Sequence, residues 1–274
     1  MVTFTAPQEM RPHFRRNQQA LYSLFFKATS QALTEAAQEK LGVQIGMIGI
    51  LHTWTRQLAY HPHIHYLVPM GGITTKGKWK RTKYDNHFLS VKLLSIKTRI
   101  ILQQLVRKHH PKLYLQIPIN IWYKNWNSDI QLVGKGATAV NYLARYVTQS
   151  AMSSKRIIAS DQETVTISYT PSGTKEKKPL TLTGNEFLRR YLQHVLPNRF
   201  KRIRYYGWLS PAAKKRFEAI KKLLHWDPIH TDFEHPLAKP PLCPCCNGEL
   251  HLETMWFGNK SPPTGIFHAT ALYD

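Results

Sequence analysis

The chain has 274 residues, enough for one large domain or for a domain with a small appendage, and its 38 Lys and Arg against 16 Asp and Glu give a formal net charge of +22. Such a balance selects a polyanionic partner, most simply nucleic acid, but does not select a chemistry. Between Lys40 and Ser128 the one carboxylate is Asp85, which excludes a three-carboxylate nuclease in this half, so a metal held there rests mainly on His.

In chain order, Asn17 to Lys40 has helical spacing, and Val43 to Trp54 turns β-rich. His63 to Pro69 reads as a second strand ended by Gly71-Gly72, and Ser90 to His109 as a helix closed by Pro111. Ile119 to Tyr123 and Asp129 to Val133 look like a hairpin, and a helix is expected from about Ala137 to Ser150. A later hairpin pairs Glu163 to Tyr169 with Pro179 to Leu182 through the turn Pro171-Ser172-Gly173. A basic helix follows from Gly184 to Val195, then one amphipathic helix after Ser210 and a Pro-rich linker, Pro236 to Pro244. Cys243, Cys245 and Cys246 lie within four residues and leave no room for a disulfide framework. The longest apolar run, Val43 to Leu51, is too short for a bilayer, and no signal-peptide pattern opens the chain. The expectation is a soluble cytoplasmic protein with no membrane partner.

The first chemistry-bearing pattern is His63-Ile64-His65. On one strand a period of two puts both imidazoles on the same face and turns Ile64 to the core. His52 ends the preceding strand, and a hairpin through Thr55 to Pro62 brings it beside the pair. Three imidazoles then converge on one divalent ion and leave positions open for phosphate oxygens. Neutral imidazole suits Mn, Co, Ni or Zn better than Mg, yet phosphate oxygens and water complete a Mg sphere. Fourteen His in a basic chain also cluster by chance.

The second pattern is Tyr142 and Tyr146, four residues apart in a helical stretch, so both phenols project from one face. With thirteen Tyr present, that spacing alone fits core packing as well as chemistry. A phenol near pKa 10 is a weak nucleophile, and a metal that polarises a phosphate supplies the missing stabilisation.

Several runs then occur in order: His52-Thr53-Trp54, His61-Pro62-His63-Ile64-His65 and Gly71-Gly72, followed by Asn141-Tyr142-Leu143-Ala144-Arg145-Tyr146-Val147 and Ala151-Met152-Ser153. Phe187-Leu188-Arg189-Arg190-Tyr191, His194-Val195-Leu196-Pro197 and Arg202-Ile203-Arg204-Tyr205-Tyr206-Gly207 continue the series. Together they resemble the two-tyrosine HUH transposases of ISCR-type bacterial insertion sequences, relatives of Helitron transposases and relaxases, from about Thr3 to Leu209. The resemblance implies an α+β fold, a central antiparallel sheet with flanking helices similar to an RNA-recognition domain, with the His pair on a central strand. It implies rolling-circle transposition on single-stranded DNA with terminal hairpins, through a 5′-phosphotyrosine and a Mg or Mn ion. His63 and His65 become ligands and Tyr142 and Tyr146 nucleophiles; the third ligand is His52 or, alternatively, Gln149. A relaxase or replication-initiator nickase shares this chemistry, and a shortened, catalytically silent DNA-binding relative shares the charge. Family members usually carry a Cys-rich zinc region before the core, and here Met1 stands almost where the core begins, so that module is expected to be missing.

From Phe187 to Arg204 six cations and no acid occur: Arg189, Arg190, Arg199, Lys201, Arg202 and Arg204 form a candidate DNA track. Tyr205, Tyr206 and Trp208 are candidates to stack on unpaired bases, and Arg145, Lys155 and Arg156 to meet phosphates near the cut. Cys243 and Cys246 offer half of a zinc site, with His235 or His251 nearby and no second Cys pair. The expected division is a catalytic domain over residues 1–209 and a helical, Pro- and Cys-containing extension over 210–274.

Overall fold

Among the described residues of the chain, strands run in the order β1 (Val2–Thr5), β2 (Val43–Gln44), β3 (Met47–Trp54), β4 (Tyr60–Leu67), β5 (Gly71–Thr74), β6 (Trp79–Arg81), β7 (Asn127–Ile130), β8 (Ile157–Ser160), β9 (Thr164–Tyr169), β10 (Lys178–Thr183) and β11 (Ile203–Tyr206). The α-helices used below are α1 (Arg11–Arg16), α2 (Gln18–Leu41), α3 (Val91–His109), α4 (Pro111–Gln116), α5 (Gly184–Leu192) and α6 (Lys214–Leu223). These come from a computed structural model that describes residues 1–82, 88–134, 136, 138–139, 141–142, 144, 151–171, 173–226 and 245–248. The chain divides into two compact units, Met1–Trp226 and Asp227–Asp274.

The central sheet has five strands in the order β11-β3-β4-β1-β7, every neighbour antiparallel. Strand β4 is the middle one, as an α+β fold with the His pair on a central strand requires. Alternation gives each strand a helical face and an open face. Phe4, Leu51, Ile64 and Tyr66 take the helical face and are almost fully buried. Helix α2 covers them with Leu21, Tyr22, Phe25, Phe26 and Leu33, all buried. The Tyr66 hydroxyl meets Thr29 Oγ1 at 2.8 Å, and the Tyr22 and Tyr60 hydroxyls meet at 2.5 Å, so the phenols in this core are partnered. Lys97 of α3 reaches Glu39 at 2.7 Å and Glu35 at 3.3 Å on α2 and ties the two helices together. Among the described residues no helix is long and apolar enough to cross a membrane.

Several elements follow the sequence pattern. Helices α2 and α3 fill the two expected spans, and Ser90 caps α3 by accepting from the Leu93 amide. Strands β9 and β10 form the expected hairpin, with β8 added on the far side of β9. Ser172 of that turn, the Pro236–Pro244 linker and much of the expected Ala137–Ser150 helix lie outside the described residues.

Two expectations are corrected. Gly71-Gly72 does not end the second strand: β4 stops at Leu67, and the glycines begin β5 between β2 and β6. A Cβ on Gly72 would lie 2.5 Å from the Gln44 carbonyl oxygen, so the pair lets neighbouring backbones approach. Nor is there a hairpin between Ile119–Tyr123 and Asp129–Val133. Ile119–Tyr123 is a 3-10 turn after Pro118, with Trp122 stacked on Trp126 at 6.0 Å, and β7 instead pairs with β1.

Gly49 sits opposite Tyr66 on the helical face, and an added Cβ would come 2.5 Å from the Tyr66 ring. Gly49→Ala is therefore expected to destabilise the fold by about 1–3 kcal/mol, read as a lower midpoint in urea denaturation.

Candidate metal centre

The β3–β4 hairpin builds the site. His52 and His63 are direct cross-strand partners, and His65 lies one step of two further along β4, opposite Ile50. All three imidazoles therefore leave the sheet on its open face. Ring centroids are 5.5 Å apart for His52 and His63, 5.2 Å for His52 and His65, and 4.7 Å for His63 and His65. One ring nitrogen from each lies within 4.8 Å of the others. Nitrogens bonded to a common ion at about 2.0–2.1 Å sit about 3 Å apart, so small side-chain rotations close the triangle.

Neighbouring groups prepare the nitrogens. His63 donates Nδ1–H to the His61 carbonyl at 2.6 Å, which leaves the Nε2 lone pair free. His65 Nδ1 lies 2.9 Å from the hydroxyl of Thr3, placed there because Thr3 pairs with His65 across β1 and β4. His52 stacks on Trp54 with centroids 4.6 Å apart. His52 and His65 are buried. Burial, ahead of the neighbouring imidazoles, holds His63 far below its ordinary pKa, at about 3, and His65 at about 2. Neutral rings keep their lone pairs, so the donor set fits a borderline divalent cation with open positions.

The hairpin tip is clamped from outside the sheet. His194 donates Nε2–H to the Leu58 carbonyl at 3.1 Å and takes the Thr53 hydroxyl at Nδ1, 3.2 Å away. Arg190 of α5 donates to the Gln57 carbonyl at 3.3 Å, and Arg156 to the Arg56 carbonyl. Arg56 in turn donates to the Thr170 carbonyl at 2.9 Å, joining the hairpin to the β8–β10 sheet.

Of the candidate nucleophiles, Tyr142 is helical and half-buried, while Tyr146, with Arg145 and Gln149, lies outside the described residues. Gly134, Gly136 and Ala139, just ahead of Tyr142, line a cleft of about 630 Å³ with Ile48 and Leu67.

The basic block is divided by the fold. Arg189 and Arg190 both bond Glu186, at 2.5 and 2.6 Å. The Arg204 guanidinium lies 4.4 Å above the Phe26 ring and 5.1 Å from that of Phe200, with Ser23 as hydrogen-bond partner. Lys155, Arg199 and Lys201 are exposed, and Arg202 is half-buried. Tyr205 is 48% exposed, whereas Tyr206 turns to the helical face, 6.0 Å from Tyr66. Trp208 is buried and donates Nε1–H to the Gln44 carbonyl at 3.2 Å. Cys246 is exposed beside Cys245, and Cys243, His235 and His251 lie outside the described residues. Sequence reasoning missed Thr3 beside His65, His194 beside Thr53, and His61 with its partner Arg11, whose Nη2 lies 2.7 Å from His61 Nδ1. Of these, His61 was findable, because it is in phase with His63 and His65 on one strand.

Residues 46–216 match the family described as "Putative transposase" (Y2_Tnp). The chain belongs to this transposase family. It is 31% identical over 230 residues to "Putative transposase y4qJ" of Sinorhizobium fredii (strain NBRC 101917 / NGR234), covering 76% of this chain and 58% of that protein. It is 27% identical over 237 residues to "Transposase for insertion sequence element IS801" of Pseudomonas savastanoi pv. phaseolicola, covering 80% of this chain and 57% of that one. The chain thus spans a little over half the length of these transposases. No solved structure matches it.

If the three imidazoles hold a cation, Mn²⁺ at about 100 times its Kd stabilises the fold by about 2.7 kcal/mol. The expected result is a raised Tm with MnCl₂ for the unmodified protein and none for His63→Ala with His65→Ala. Thr3→Val, which removes the hydroxyl beside His65, is expected to weaken Mn²⁺ binding by about tenfold or more in calorimetric titration.

Proposed function

We propose that this transposase-family chain nicks and rejoins single-stranded DNA through a 5′-phosphotyrosine intermediate, in rolling-circle transposition. The observation that carries the reading is the convergence of His52, His63 and His65, three imidazoles with a ring nitrogen apiece within 4.8 Å. Family membership and the +22 charge favour DNA as the polyanion.

When bound, a Mg²⁺ or Mn²⁺ ion would polarise the scissile phosphate and stabilise the charge that develops on it. His63 and His65 would hold it, with His52 as third ligand and Gln149 as the alternative. The Tyr142 or Tyr146 oxygen attacks phosphorus, a phenol-oxygen bond to phosphorus forms, and the bond from phosphorus to the 3′ oxygen breaks. The phenol gives its proton to solvent and the 3′ oxygen takes one from solvent. The adduct keeps the bond energy, so the 3′ hydroxyl of another strand reseals it without ATP. Two phenols four residues apart in the sequence would permit two adducts at once. The exposed cations Lys155, Arg199 and Lys201, together with Tyr205, are the contacts proposed for the strand, with hairpin-ended DNA in a bacterial cytoplasm as its natural form.

Labelled single-stranded DNA from the end of such an element, incubated with MnCl₂, is expected to form a covalent protein–DNA adduct on a denaturing gel. Tyr142→Phe with Tyr146→Phe is expected to abolish it, and His63→Ala with His65→Ala to abolish it while salt-sensitive DNA binding persists. An adduct that survives the double Phe variant overturns the nucleophile assignment, and binding without any adduct identifies a silent DNA-binding relative.

A further inference from the structure

Strand β4 carries one more imidazole in phase with the metal pair. His61 lies two residues before His63, its ring 5.3 Å from that of His63, and it is half-buried. It does not belong to the group of three whose nitrogens converge. Its environment explains the difference. Arg11, the first residue of α1, places Nη2 2.7 Å from His61 Nδ1. A guanidinium has no acceptor, so Arg11 donates and His61 Nδ1 accepts. That leaves the His61 proton on Nε2, and this N–H has no protein partner among the described residues.

The two neighbouring imidazoles therefore carry opposite tautomers. His63 spends its N–H on the His61 carbonyl and keeps a lone pair for a cation. His61 spends its lone pair on Arg11 and keeps an N–H, which serves an anionic oxygen and not a metal. Arg11 adds a fixed positive charge behind the ring, and its Nε is buried without a partner. The nearby carboxylate, Glu9, is paired with Lys124.

We propose that Arg11 and His61 form a phosphate seat beside the metal centre, with His61 Nε2–H donating to a non-bridging oxygen of the phosphodiester presented to the three imidazoles. This rests on the metal-dependent nicking reading above and assigns His61 a role apart from ligation: it orients the phosphate, and Arg11 orients His61. Three cation-facing lone pairs and one anion-facing N–H would then define where the scissile phosphate sits.

Long-range proton–nitrogen NMR of the full chain with MgCl₂ tests the tautomer, and inorganic phosphate is the probe. The expected spectrum shows His61 protonated at Nε2, its resonances shifting as phosphate is added, with Arg11→Leu weakening the shift. His61→Ala is expected to leave Mn²⁺ affinity intact and to slow adduct formation by about 10- to 100-fold, the loss of one hydrogen bond to a charged group. His61→Gln, which retains an N–H donor and serves if the Ala variant unfolds, is expected to recover part of that rate. A His61 protonated at Nδ1, a phosphate titration that leaves it unmoved, or a His61→Ala variant that loses Mn²⁺ as His63→Ala does would overturn the proposal. Adduct formation that is lost in the Tyr variants yet unaffected by His61→Ala sinks the phosphate seat alone and leaves the nicking reading standing.

Discussion

The direct opposition of His52 and His63 across the β3–β4 ladder is the constraint on which the rest of the site depends. A slip of one residue in an antiparallel pair would turn His52 or the His63–His65 pair to the helical face. Burial fixes the register from below: Ile64 and Tyr66 are fully inside, and the Tyr66 ring occupies the space that Gly49 leaves open. The turn fixes it from the end. Leu58 adopts φ 61°, and His194 and Arg190 bind the carbonyls of Leu58 and Gln57. Packing, turn geometry and hydrogen bonds thus agree on one alignment, and the alignment delivers three rings to one point.

Charge explains why such a cluster suits a basic protein. Among the described residues the converging group contains His alone, and each ring is more useful neutral than protonated. Burial keeps His63 and His65 neutral without any acid to offset. A divalent cation bound there would meet no carboxylate in this converging group of described residues. Phosphate oxygens can balance its charge, so metal and DNA would reinforce each other's binding. A carboxylate cage would hold the cation more self-sufficiently and would also repel the strand.

Much of this was legible in the sequence because it depends on short periods. The His-x-His phase is written in three consecutive residues, and the α2 and α3 spans follow from apolar spacing and the Ser90 cap. Thr3 was not legible: β1 has four residues, and its pairing with His65 is set by the tertiary register. The Ile119–Val133 stretch misled because alternating apolar residues there serve Trp122 and Trp126 packing and an edge strand on β1, not a hairpin. The basic block showed its charge but not its partners. Arg204 lies over Phe26 and Phe200, and Arg190 braces the hairpin, which no linear pattern of cations reveals. Tyr205 and Tyr206 look equivalent on paper, yet strand alternation sends them to opposite faces.

The central claim is that His52, His63 and His65 act together on one ion. Electron spin echo envelope modulation of the Mn²⁺-loaded protein measures this directly, since each coordinated imidazole contributes nitrogen couplings. The account predicts couplings from three imidazoles, falling to two in His52→Ala. Mn²⁺ that shows no imidazole coupling, or a spectrum that His52→Ala leaves unchanged, would contradict it.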